Sequence, residues 1–202
     1  MLEPKEGLLT FRAEGNNIPK SIFYSREIHW PGIIHYCYKD NSGVTIGRGY
    51  DLGRRSKGEV FHAMLSSGIT KKQAEKISEG AGLTGCTASD FVKKNKDDIG
   101  EITETQQLIL FEEVYRDYLI DSIRFYNKYK KNDSVIWDKL DYRLREVFVD
   151  MKYQGNMFAE TVKYFEGNDI STVVRLINSR PLLKKYEPGR KRLLFLMNGK
   201  QK

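Results

Sequence analysis

The sequence predicts an α+β protein that is mostly helical, with a small N-terminal lobe carrying a β-hairpin and a helical C-terminal lobe. Three observations predict it. Glycine and proline punctuate the first stretch, at Pro19, Pro31, Gly32, Gly43, Gly47, Gly49 and Gly53. From about residue 58 apolar side chains recur at helical spacing. The 202 residues include 12 Tyr, 10 Phe and 2 Trp, enough apolar bulk to build a core without covalent staples. One domain over 1–202 is expected, with lobes at about 1–57 and 58–202.

Each element follows from local chemistry. Leu8, Leu9, Phe11 and Arg12 before Glu14-Gly15 predict a short first helix that Gly15 closes. Val44-Thr45-Ile46-Gly47-Arg48-Gly49-Tyr50 alternates and is rich in glycine, which fits hairpin strand approached closely by other backbone. Thr70 with Gln73, and Thr103 with Gln106, read as capping boxes that start helices. After Thr103 a long amphipathic helix is expected, with Leu108, Phe111, Tyr115, Tyr118, Leu119, Ser122, Phe125 and Tyr129 on one face. A helix from about Asp138 to Tyr153 turns Leu140, Leu144, Val147, Phe148 and Met151 inward, and Gln154-Gly155 ends it. Shorter helices are expected near 157–165 and 169–179, and Pro188-Gly189 is expected to open a last helix from Arg190 to Met197.

A formal net charge of +7 favours polyanionic partners, among them nucleic acid, anionic membranes and bacterial cell walls. No helix concentrates its basic residues on one face and no nucleic-acid motif is present, so nucleic acid is not an expected partner. No apolar run approaches the ~20 residues that span a bilayer, so no membrane insertion is expected. The first residues lack the layout of a signal peptide, and an enzyme acting outside its own cytoplasm is then delivered by other means. Cys37 and Cys86 form no C-x-x-C motif; one disulfide and two buried thiols both remain open. His29, His35 and His62 lack ligand spacing, and neither a metal nor an organic cofactor is expected.

Among 27 acidic residues, placement selects the candidates. Glu14 follows an apolar run at the end of a helix, and the helix C-terminus disfavours an anion there. The same field raises a carboxyl toward the protonated form that a general acid needs. Thr45, Gly47, Gly49 and Asp51 share a face if the segment is one alternating strand, and the glycines leave room for a sugar and its attacking water. Asp51, before Leu52-Gly53, is also a residue that caps a turn. Trp30 and Tyr50 are candidate saccharide contacts, although a partly buried packing role suits Trp30 somewhat better. Arg54-Arg55-Ser56-Lys57 reads as a solvated basic loop.

Phe11-Arg12-Ala13-Glu14-Gly15, then Ser42-Gly43-Val44-Thr45-Ile46-Gly47-Arg48-Gly49-Tyr50-Asp51-Leu52-Gly53, resembles the phage-type lysozyme family. The likeness is to the pesticin-like branch and to muramidase domains attached to type VI secretion spike proteins. Gln106 to Phe111, Leu140 to Arg145 through Met151-Lys152-Tyr153-Gln154-Gly155, and Pro188-Gly189-Arg190-Lys191-Arg192 match in family order. The resemblance implies a lysozyme-like two-lobed fold and hydrolysis of the β-1,4 bonds between N-acetylmuramic acid and N-acetylglucosamine in peptidoglycan. It implies Glu14 as general acid, Asp51 as second carboxylate, Thr45 positioning the water, Gln154 at the sugar or the acid, and Arg190 near Glu14. Asp40, six residues before Thr45, competes with Asp51, and Glu27 with Glu14. The resemblance also implies a monomeric antibacterial effector or toxin domain, with a bacteriocin's killing domain and a phage endolysin left open beside a secreted effector. It would act on the wall of a target bacterium after secretion or lysis, opposed by an immunity protein. The alternatives are a chitosanase- or chitinase-type hydrolase and a non-catalytic wall-binding module.

Overall fold

A computed structural model describes residues 2–199. It is mostly helical, with one two-stranded antiparallel sheet. The elements are α1 (Leu8–Ala13), β1 (Thr45–Ile46), β2 (Tyr50–Asp51), α2 (Lys57–Ser66), α3 (Lys71–Ser78), α4 (Gly85–Ile99), α5 (Glu104–Tyr129), α6 (Tyr142–Tyr153), α7 (Ile170–Ser179), α8 (Pro181–Arg190) and α9 (Arg192–Asn198). Short 3-10 turns lie at Ile34–Lys39, Trp137–Lys139 and Ala159–Tyr164. No helix among the described residues is long and apolar enough to cross a membrane.

Backbone contacts divide the chain into two compact units, with a boundary different from the one near residue 57 read from composition. The first unit is Glu14–Val114 with the stretch up to Pro4; the second is Lys5–Ala13 with the chain from Tyr115 onward. The division falls inside α5. Composition marks where strand-like sequence gives way to helix, whereas a compact unit is defined by which helices share a core, and α2 to α4 pack with the hairpin segment's unit.

In the first unit Ile28, Val44, Ile46, Leu52, Val60, Met64, Ile77 and Ile102 are fully buried. Capping starts its helices where the local chemistry allows. Ser56 and Glu59 form a reciprocal capping box on α2. Thr103 and Gln106 do the same for α5: the Gln106 amide N–H donates to the Thr103 hydroxyl at 3.1 Å, and the Thr103 N–H to Gln106 Oε1 at 2.8 Å. Thr70 caps α3, but Gln73 does not return the bond; its side-chain amide donates to the carbonyls of Ile99 and Glu101, each at 3.0 Å. A disulfide joins Cys37 to Cys86, tying the 3-10 turn at Ile34–Lys39 to the first turn of α4.

The core of the second unit is built on Phe148 of α6. Its ring meets Trp137, Phe165 and Tyr126 edge-on at centroid distances of 5.3, 5.0 and 5.8 Å. Leu140, Leu144, Val147 and Met151 are buried with it, as the spacing predicts. On α5 the buried positions are Gln107, Leu110, Phe111, Val114, Tyr115, Ser122 and Tyr126, while Tyr129 is exposed. The face is thus shifted from the expected one, because apolar residues line more than one side of this helix and spacing cannot rank them.

The C-terminal helices correct the sequence reading. Pro188 and Gly189 lie inside α8, whose Pro181 is preset for the first turn, and Arg190 is its last residue. Pro188 forfeits one intrahelical bond, the one its N–H would have donated to the Lys184 carbonyl. The break comes at Lys191, held left-handed at φ 56°, and α9 starts at Arg192. Glu187 Oε1 caps α9 by accepting from the Leu193 N–H at 2.6 Å.

Candidate active site

The hairpin of the first unit carries the candidate residues. Its register pairs Thr45 with Asp51 and Ile46 with Tyr50. Thr45 and Asp51 are therefore partners across two strands rather than members of one alternating strand. Directly paired residues lie on the same face, so the shared face survives by a different route. His29 flanks β1 on the other side, exchanging both backbone hydrogen bonds with Thr45 at 2.8 Å. The chain turns at Gly47-Arg48-Gly49, where Gly47 (φ 62°) and Gly49 (φ 82°) take left-handed conformations that favour glycine.

Arg48, at the tip of this turn, was not singled out from the sequence. It is buried, and its guanidinium donates to the carbonyl oxygen of Gly15 and, at 3.1 Å, to Asn17 Oδ1. Burial lowers its pKa to about 10 against the pull of the Glu104 and Glu14 charges. The hairpin thereby holds the residue that follows Glu14, and a cationic group stands in the field of the Glu14 carboxylate. Around the same corner the Ser25 hydroxyl lies 2.8 Å from Gln107 Oε1, and Gln107 Nε2 donates to Asn17 Oδ1 at 2.8 Å. Gly15, at φ 145°, has no space for a side chain: a Cβ there would lie 2.9 Å from the Phe23 carbonyl oxygen. Glu14 is half-buried, directly after α1.

The other predicted residues have defined partners. The Asp51 carboxylate accepts from the backbone N–H of Gly43 at 3.1 Å and of Gly53 at 2.6 Å, the turn-bracing use that its position also suggested. The Thr45 hydroxyl is buried and donates to the Gly43 carbonyl at 3.2 Å. Tyr50 is buried, with the Arg55 guanidinium 4.4 Å from its ring centroid, so its place is in the core of the hairpin rather than on an open face. This also corrects the reading of the Arg54–Lys57 stretch as simply solvated: Arg55 covers Tyr50, and Lys57 pairs with Glu79. Trp30 is half-buried and donates its indole N–H to the Ser42 carbonyl at 2.9 Å.

Of the two rival carboxylates, Asp40 accepts from the Ser42 N–H at 2.7 Å, and hydrogen bonds from the Ser42 side chain and backbone pull its pKa below the ordinary value. Glu27 pairs with Lys96 of α4 at 2.7 Å. His29 beside it is lowered from its ordinary value by burial.

Gln154 and Arg190 belong to the second unit, in a polar network around Asp150. Arg190 and Arg192 both donate to the Asp150 carboxylate, at 2.5 and 2.6 Å; Thr10 of α1 donates to it at 3.0 Å. Gln154 Oε1 accepts from Arg192 at 2.7 Å. Asp150 and Arg192 have no exposed surface. Asp150 was missed because it sits in the amphipathic pattern of α6 like any polar residue; only its burial marks it.

The fold and this site define a mostly helical α+β protein with a candidate carboxylate beside a glycine-rich hairpin. The chain belongs to the family described as Domain of unknown function (DUF8812), whose model matches residues 7–188. None of the curated protein sequences matches it.

Proposed function

We propose that the chain is an N-acetylmuramidase of lysozyme-like, two-lobed fold, hydrolysing the β-1,4 bonds of peptidoglycan glycan strands with Glu14 as general acid. The observation that carries this reading is the fastening of the Glu14-Gly15 corner by buried Arg48, from the same hairpin that bears Thr45 and Asp51 as a facing pair. A general acid has to be held on a rigid element, partly desolvated and tuned by nearby charge. Glu14 directly follows α1 in the chain and is half-buried, and Gly15 next to it is held by Arg48.

In this mechanism Glu14 protonates the leaving glycosidic oxygen. Asp51 keeps lone pairs beyond the two amides it braces and accepts the proton of the attacking water, giving inversion at the anomeric carbon. Thr45 orders that water. The biological reading that goes with it is an antibacterial effector or toxin domain, acting on the wall of a target cell and blocked by an immunity protein.

The test is incubation of isolated peptidoglycan with the wild type, Glu14→Gln and Asp51→Asn, with products identified by mass spectrometry. Wild type is expected to release fragments with reducing muramic acid ends, and Glu14→Gln none. Full activity of Glu14→Gln would remove it as the acid, and first release of the retained anomer would remove Asp51 as the base.

A second reading is favoured by the engagement of the Thr45 hydroxyl and both Asp51 oxygens with backbone. It is a wall-binding module without catalysis. Co-sedimentation with peptidoglycan and no release of fragments would select it.

A further inference from the structure

A concave site lies wholly within the second unit. It is a cavity of about 400 Å³ with Trp137, Leu119, Ile123 and Val149 among its apolar lining residues. That volume lies in the range of small-molecule sites. Its charged lining is mixed: Arg145 and Lys5 on one hand, Glu146, Glu6 and Asp138 on the other.

Two consecutive residues of α6 make this cavity unusual. Glu146 Oε1 accepts from the Gly7 N–H at 3.0 Å and from the Tyr115 hydroxyl at 3.3 Å, but its Oε2 is buried with no hydrogen-bond partner. Arg145 Nε is also buried with none. Neighbouring residues on a helix point about 100° apart, so the two do not satisfy each other. A buried acceptor and a buried donor left open cost stability, and such groups call for an explanation. Burial raises the pKa of Glu146, which is what a carboxylate without a counter-charge experiences. Gly7 is held at φ 75°, and a Cβ there would lie 2.5 Å from the Tyr115 ring, so the lining depends on a glycine.

Glu146 and Arg145 both line the cavity, so an occupant that meets them donates to the carboxylate and accepts from the guanidinium, with an apolar part for the Trp137, Leu119 and Ile123 surface. We propose that this cavity binds a zwitterionic α-amino acid with an apolar side chain, its ammonium on Glu146 and its carboxylate on Arg145. Opposite full charges match a carboxylate and a guanidinium better than the hydroxyls of a sugar do, because charge-assisted hydrogen bonds are roughly twice as strong as neutral ones.

The experiment is calorimetric titration of the whole chain with L-leucine and L-methionine. The controls are isoamylamine, which lacks the carboxylate; 4-methylpentanoate, which lacks the amine; leucylglycine, which separates the two charges; and N-acetylglucosamine, a neutral polyol. Leucine and methionine are expected to bind, and each control at least about tenfold more weakly. Glu146→Gln and Arg145→Gln, checked for folding by circular dichroism, should each weaken leucine binding by about tenfold or more. No leucine binding up to about 10 mM overturns the proposal. So does binding of isoamylamine or 4-methylpentanoate as tight as leucine, or of N-acetylglucosamine in its place. Tighter binding of leucylglycine would overturn the free amino acid as the source.

Discussion

Asp150 carries a full charge in the interior, and its three partners Thr10, Arg190 and Arg192 decide what its replacement does. Removing it takes a shared carboxylate away from two buried guanidinium groups, which is far costlier than never having built the network. Asp150→Ala is expected to lose about 3–5 kcal/mol in urea denaturation. A loss near that of an ordinary surface substitution would mean that the arginines reach solvent. Arg48 acts differently, on position rather than on the global fold. Arg48→Ala removes the bonds to Gly15 and Asn17 and frees the Glu14 corner. On the proposed muramidase reading, its peptidoglycan turnover is expected to fall by at least about tenfold with the circular dichroism spectrum unchanged. Glu146 gives a pH signature. Its folded pKa is raised by burial, so the folded chain holds its proton more tightly than the unfolded chain, and stability falls as pH rises from the ordinary carboxyl value through the raised one. Glu146→Gln removes that titration and should raise the melting temperature at pH 7 relative to wild type, with little gain at pH 4.

At the scale of elements, α7 shows a helix whose start is set by one side chain. Asp169 accepts from the N–H groups of Ser171 and Thr172 and from both hydroxyls, and these bonds lower its pKa to about 2. A depressed carboxyl stabilises the fold above its unfolded value of 3.8 and loses that contribution as pH falls toward about 2. Amide exchange at the first turn of α7 should therefore accelerate between those two values, and Asp169→Ala should show fast exchange across the whole range. The elements also differ in how legible they were. The inward face of α6 was readable because Leu144, Val147, Phe148 and Met151 fall on one stripe, while Leu140, expected on the same helix, is buried in the turn before it, since α6 starts at Tyr142 rather than near Asp138. α8 was not readable, because Pro181, Pro188 and Gly189 all carry break signals and only Leu183 and Arg190 are buried along it. The hairpin was readable, but the facing of Thr45 and Asp51 was argued along one alternating strand, whereas left-handed residues at Gly47 and Gly49 reverse the chain between them.

At the scale of the molecule, the Cys37–Cys86 disulfide closes a loop of sequence separation 49 around the hairpin. In the chain-entropy account such a cross-link restricts the unfolded chain by about 4 kcal/mol, an upper figure for what its loss costs. Cys37→Ser with Cys86→Ser is expected to lower stability by up to that amount, measured by thermal unfolding with and without reductant. An equal response of wild type and double variant to reductant would show that the bond is not formed in solution.

Sequence alone determined the classes of element and several of their faces, because hydrophobic spacing and turn residues act over a few neighbours. It also marked Glu14, Thr45 and Asp51, since a helix-closing glycine and a glycine-rich turn are local signals. Tertiary structure decided what each of those side chains touches. Asp51 braces two backbone amides, Tyr50 is covered by Arg55, and Gln154 and Arg190 join a network around Asp150. Arg48, Asp150 and the Arg145–Glu146 cavity were invisible in the chain. A buried charge differs from an exposed one only through residues distant in sequence, and burial is a property of the folded neighbourhood rather than of the residue.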